Sequence, residues 1–205
     1  GKPEGDVRDR LLESAAGLFS SKGYAATTVR EIVGRAGVTK PVLYYYFRSK
    51  EGIYLDLMRG PLEEFAAFLD ATAAEEGKAG ERLFRLCLRA YDAFVEHLDL
   101  ARVMYAIYYG PPQGAPFIDF DAFHLRFQES LLRLLEEGIR RREFRRGNAR
   151  DMMWAVLGAV TVAMELELCR PRQSLGRDGV GRMLGILFDG IATGKGAGKG
   201  RGKGK

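Results

Sequence analysis

Apolar residues recur along this chain at intervals of three and four. Leu11, Leu12, Ala15, Leu18 and Phe19 fall on one side of a helix, with Asp6 placed as its N-cap and Gly23 as its stop. The same period predicts helices near 28–36, 39–47, 50–75, 79–98, 101–109, 118–144, 148–169 and 175–192. No stretch joins strict alternation to hairpin turn signals, so almost no sheet is expected. The predicted fold class is all-α, with about nine helices. Pro111, Pro112, Gly114 and Pro116 mark the clearest loop, and Pro171 ends the penultimate helix. From Gly194 onward glycine alternates with Lys, Arg or Ala, a composition that buries no apolar surface and predicts disorder.

One segment carries more than a fold prediction. Thr28-Val29-Arg30-Glu31 has the form of a capping box, opening a short helix that runs through Ile32 and Val33 to Ala36. Gly37 supplies the positive φ of a tight turn. Thr39 is then expected to cap a second short helix, with Pro41 in its first turn, where a missing N–H costs little. Two short helices joined in this way make a helix-turn-helix. On the second, Val42, Leu43, Tyr46 and Phe47 gather on one side and Lys40, Pro41, Tyr44 and Tyr45 on the other. The second set presents a cation and two phenols that suit phosphate oxygens and base edges in a major groove. An ordinary helical hairpin with half-buried tyrosines would share the Gly turn; the capping box, polar tip and local charge favour DNA.

Charge changes the picture by its placement. The chain has 205 residues and a formal net charge of +5. Residues 1–50 carry an excess of four basic groups, residues 51–194 an excess of four acidic groups, and Lys195–Lys205 five basic groups and no acid. Phosphate would be drawn to the ends of the chain rather than to its middle. Gly1 to Asp6 lacks the layout of a signal peptide, and the nearly apolar stretch Met152–Met164 reads as too short for a bilayer, so no membrane partner is expected. Cys87 and Cys169 have no ligand pattern around them. The expected location is the cytoplasm.

The stretch TTVREIVGRAGVTKPVLYYYFRSKEGIY, preceded by Gly23-Tyr24, resembles the DNA-binding domain of the TetR family of repressors over residues 8–54. The resemblance implies DNA contacts from Thr27, Thr28, Thr39, Lys40, Pro41, Tyr44, Tyr45 and Lys50, the last touching phosphate. Pro41 stands where relatives often have Gly, and Tyr46 occupies a position that often reaches phosphate although the helical wheel turns it inward. The resemblance also implies an N-terminal three-helix DNA-binding domain, here residues 1–50, and an effector-binding and dimerisation domain, here 51–192, followed by a basic Gly/Lys tail at 193–205. It further implies a homodimer on a palindromic double-stranded operator, repressing transcription until an effector releases it.

Beyond residue 54 the resemblance is architectural, and the residues themselves offer alternatives. Ala155, Ala159 and Ala163 make a small-residue stripe; Gly181 and Gly185 do likewise beside Leu184 and Phe188. With a TetR-like fold, Ala155, Ala159, Ala163, Gly181, Gly185 and Phe188 would form a four-helix dimer interface; otherwise both helices complete a monomer core. Aromatics are abundant from Phe65 to Trp154. Each fits core packing, while together Tyr91, Tyr105, Tyr108, Phe127 and Trp154 would wall a cavity for a small, mainly hydrophobic effector. Arg140–Arg142 with Arg145 and Arg146 reads as a second phosphate patch or as cations favoured at a helix C-terminus. Asp119 and Asp121 are not spaced as helical co-ligands of His124, so neither metal nor cofactor is expected. With His97 and His124 the only histidines, and no phosphate loop, no enzyme is expected. The competing function is an architectural DNA-binding protein without an effector.

Overall fold

A computed structural model of the chain describes residues 4–191. Among these residues nine α-helices and one 3₁₀ turn occur, with no β-strand: α1 (Glu4–Lys22), α2 (Val29–Ala36), α3 (Lys40–Phe47), α4 (Lys50–Ala74), α5 (Ala79–Glu96), α6 (Leu98–Tyr108), α7 (Phe120–Arg140), α8 (Ala149–Cys169) and α9 (Gly176–Ile191). The fold is all-α, as the helical period predicts. Asp6 is not the first cap: it lies inside α1, whose helix already includes Glu4. The tail expectation at 193–205 lies outside the described residues.

The chain forms two compact units, Gly1–Phe68 with Ala93–His124 and Leu69–Asp92 with Leu125–Lys205. The helix-turn-helix segment lies wholly in the first. That unit is built on Leu11, Ala15 and Phe19 of α1, Ile32, Val33 and Ala36 of α2, Leu43 and Phe47 of α3, and Ile53, Tyr54 and Met58 of α4. Val103 of α6 and Phe120 complete this core, because α1 packs on α6 as well as on α2. The α1 stripe read from the sequence thus becomes the floor under the helix-turn-helix. Arg8 ties α1 to α4, bonding Asp56 at 3.0 Å and lying over the Phe47 ring.

The second unit has its own core, including Leu83, Leu86 and Cys87 of α5, Leu131 and Leu135 of α7, Val156 and Val160 of α8, and Leu184 of α9. A buried ion pair crosses it: Arg82 bonds both oxygens of Glu137 at 3.0 Å and the Thr72 carbonyl at 3.2 Å. Such a pair is costly to break, because the surviving charge is left buried. At the end of α7, Arg141 donates to the Gly77 carbonyl and pairs with Glu137, so this member of the arginine run has partners inside the unit. Helix α8 is longer than its apolar stretch suggests. Its 21 residues include a window of mean hydropathy 1.6, long and apolar enough by composition to cross a membrane, and only 28% of that window is buried within the chain.

Candidate nucleic-acid interface

The α2–turn–α3 segment is held by its own caps. Glu31 N–H donates to Thr28 Oγ1 at 3.3 Å, and Thr28 N–H donates to the Glu31 carboxylate at 2.9 Å, completing the reciprocal box. Lys22 also pairs with Glu31. Its ammonium, followed by the Thr28 hydroxyl and N–H, pulls the Glu31 carboxyl from the ordinary 4.5 down to about 2. Gly37 has φ +67°, and the turn closes with Val38 N–H donating to the Val33 carbonyl at 3.0 Å. A side chain other than glycine is strained in that conformation.

The cap of α3 departs from the sequence expectation. Thr39 occupies the N-cap position, but its side chain makes no capping hydrogen bond. Pro41 removes one of the two donors such a cap would serve, and Val42 N–H bonds the Thr39 carbonyl instead. The Thr39 hydroxyl is therefore uncommitted to the helix it opens. An exposed helix start with an uncommitted hydroxyl suits a phosphate oxygen.

The two faces of α3 match the helical wheel. Leu43 and Phe47 are buried, with Val42 and Tyr46 packed partly against the same core. Lys40 and Pro41 are exposed, and Tyr44 and Tyr45 are 46% and 74% exposed. An exposed phenol leaves apolar ring surface in water, which makes sense where another surface covers it. Thr28, Thr39 and the exposed cations Arg30, Arg35 and Arg48 lie on the same small segment.

Two of the eight DNA-contact candidates are occupied internally. Thr27 is buried, its hydroxyl donating to the Gly23 carbonyl at 2.8 Å. Lys50, half-buried, donates to the carbonyls of Tyr24 at 3.0 Å and Thr27 at 3.1 Å. Tyr24 packs against Tyr54 and Phe19 and donates its hydroxyl to Glu51 at 3.3 Å. Burial, with Glu51 beside it, pushes the Tyr24 phenol well above its ordinary value. These side chains shape the entry to α2 from beneath.

A family model described as "Bacterial regulatory proteins, tetR family" matches residues 11–57, the stretch from the middle of α1 into α4. Over that stretch the chain is similar to the TetR family. Over 191 residues it is 28% identical to the transcriptional repressor KstR2 of Rhodococcus jostii, covering 91% of each chain. The structure of the ketosteroid transcriptional regulator KstR2 of Mycobacterium tuberculosis superposes with a TM-score of 0.72 at 26% identity, covering 91% of this chain and 95% of that one. FadR of Bacillus subtilis, solved with stearoyl-CoA, gives 0.64 at 19% identity over 89% and 98% of the two chains, a likeness of fold alone. The similar proteins are transcriptional regulators rather than enzymes.

The remaining candidates are placed less uniformly. Of the five effector-wall residues, Tyr105 and Tyr108 belong to the first unit and Tyr91, Phe127 and Trp154 to the second. Tyr105 and Tyr108 both pack on Tyr109, and Tyr108 donates to Asp121. Tyr91 is buried, donates to Glu167 at 2.5 Å, and has its phenol pushed up to about 12 by burial and then by that carboxylate. Phe127 is buried, whereas Trp154 is 55% exposed. A cavity of about 630 Å³ in the first unit is lined by other residues, among them Leu12, Ala16, Leu57, His97 and Leu100.

The six interface candidates divide as well. Helices α8 and α9 pack together. Ala155 is exposed, Ala159 and Gly185 are partly so, and Ala163 is buried. Phe188 and Gly181 turn toward Phe84 of α5, the two rings 6.1 Å apart. Exposed instead are Trp154, Gly158 and Val162 on α8 and Ile186 on α9, with Val162 56% and Ile186 77% exposed. The sequence reading assigns Trp154 to the effector wall and leaves Val162 and Ile186 without a role, although 154, 158 and 162 repeat every four positions.

Proposed function

We propose that this chain represses transcription as a homodimer on a near-palindromic operator and lets go when a small, mainly hydrophobic effector binds. The observation that carries the reading is the exposed face of α3, where Lys40, Pro41, Tyr44 and Tyr45 stand clear of a core that buries Leu43 and Phe47. With Thr28 and Thr39 at the starts of α2 and α3, these residues supply phosphate and base-edge contacts. Thr27 and Lys50 shape the same surface through the backbone, and Lys50 reaches phosphate only if it leaves its two carbonyls. The domains are a DNA-binding part to about residue 50 and an effector and dimerisation part to about 192, acting in the cytoplasm where the DNA is.

Dimerisation is supported by the exposed apolar residues of α8 and α9. A monomer would leave Trp154, Val162 and Ile186 in water, and a two-fold partner would cover them with the same patch. Ala155, Ala159 and Gly185 would allow close approach. The effector class is supported by a relative whose name refers to a ketosteroid, a largely apolar molecule. Effector binding would favour a dimer whose two α3 helices no longer match successive major grooves.

The test is in vitro selection of DNA by the full chain, followed by sedimentation with and without the selected site. The expected result is an inverted repeat bound by a dimer. Hydrophobic compounds that raise the melting temperature should then release that DNA. DNA binding that no stabilising compound affects would favour the architectural reading.

A further inference from the structure

Gln113 lies in the proline-rich loop after α6, remote in sequence from the helix-turn-helix, yet it reaches the turn that leads into it. Its Oε1 accepts from Tyr24 N–H at 2.9 Å, and its Nε2 donates to the Ala106 carbonyl of α6 at 3.3 Å. The opposite side of the contact is shaped to receive it. Gly23 has φ +85°, and a Cβ there would stand 2.7 Å from Gln113 Oε1. The left-handed backbone favours glycine at position 23, and a side chain there would displace the approaching carboxamide.

From this turn the bonds run directly to α2. Thr27 N–H donates to the Tyr24 carbonyl at 3.2 Å and its hydroxyl to the Gly23 carbonyl at 2.8 Å, and Thr28 follows as the α2 cap. Helix α1 has a separate tie to α6, Ser20 donating to Asp99 at 3.1 Å. That tie holds the helix floor; the Gln113 carboxamide holds the turn itself.

We infer that Gln113 is a positioning residue for operator recognition, linking α6 to the Gly23–Thr27 turn and so setting where α2 and α3 stand. It touches no DNA. A displacement of α6 or its loop would pull the Tyr24 backbone through one side chain, and the register of α2 and α3 would follow. The inference rests on the DNA-binding reading above.

The experiment uses the full-length chain and the operator selected with the wild type. Gln113→Leu keeps the size of the side chain and removes both hydrogen bonds. Operator affinity should fall about tenfold, equivalent to about 1.4 kcal/mol, while cooperative unfolding and the sedimentation coefficient stay close to wild type. Amide exchange at Tyr24 should quicken. Gln113→Glu, which keeps an acceptor for Tyr24 N–H, should recover part of the loss. If the leucine variant does not fold, Gln113→Ala removes the same bonds without added bulk and carries the test. Wild-type affinity in a folded variant, or a loss that only tracks the unfolded fraction, would overturn the inference. A wild type that enriches no DNA sequence would instead remove the DNA-binding reading and this inference with it.

Discussion

The Lys50 ammonium lies 4.2 Å from the centre of the Tyr24 ring and donates to the Tyr24 carbonyl at 3.0 Å. Its second bond, to the Thr27 carbonyl, means that the first residue of α4 grips both ends of the turn before α2. Replacing Lys50 by Met keeps the apolar stem and removes the charge. Stability should fall by about 2 kcal/mol, the scale for hydrogen bonds to a charged group, as read by urea unfolding. The salt dependence of operator binding separates its two roles. If Lys50 stays on its carbonyls, the slope remains at the wild-type value; if it moves to phosphate, the slope drops by about 0.9.

Tyr44 stands on the exposed face of α3 and contributes little to the core. Tyr44→Ala should weaken binding to the selected operator by about 1–3 kcal/mol and leave the unfolding midpoint unchanged. Anisotropy titration and urea unfolding on the same sample check this. Unchanged affinity would assign Tyr44 to the rim of the interface.

The Thr28–Glu31 box makes a pH signature. The Glu31 carboxyl titrates at about 2 in the folded chain against an ordinary 4.5, so its ionised form adds stability. That contribution is fully present above pH 4.5 and is lost as pH falls toward 2. Glu31→Gln should flatten this part of the stability profile relative to wild type. Thr28→Ala removes the N-cap and should cost about 1 kcal/mol at neutral pH. Parallel acid slopes for wild type and Glu31→Gln would count against the box as the source.

Ile186 is 77% exposed on α9 and its removal should cost the subunit core almost nothing. Ile186→Asp places a charge where the proposed dimer buries the side chain, an uncompensated burial that favours dissociation. Sedimentation should show monomers with intact helical content, and operator affinity should collapse with them. Ala159→Phe should act in the same direction by bulk. A dimer that survives both changes would place the interface elsewhere.

Local chemistry makes much of this chain legible in the order of its residues. The capping box needs only Thr28 and Glu31 three residues apart; the turn needs only Gly37; the two faces of α3 follow from helical periodicity. Each rests on interactions within a few residues, so the sequence by itself determined them, together with the all-α class and the TetR-family resemblance. Thr39 shows how narrow that legibility is: its missing cap bond turns on Pro41 two positions later, a local effect the sequence also held.

Contacts between distant segments were decided only by tertiary structure. No spacing rule relates Tyr24 to Gln113, Lys50 to the Thr27 carbonyl, or Arg82 to Glu137, because each pair joins segments that are brought together only by folding. The same is true of exposure. Ala155 and Ala163 share one stripe, yet Ala163 is buried and Ala155 is open, and Phe188 turns in to Phe84 while Ile186 faces out. A helical period states which residues lie together on a face; which face meets a neighbour depends on how helices far apart in the chain pack.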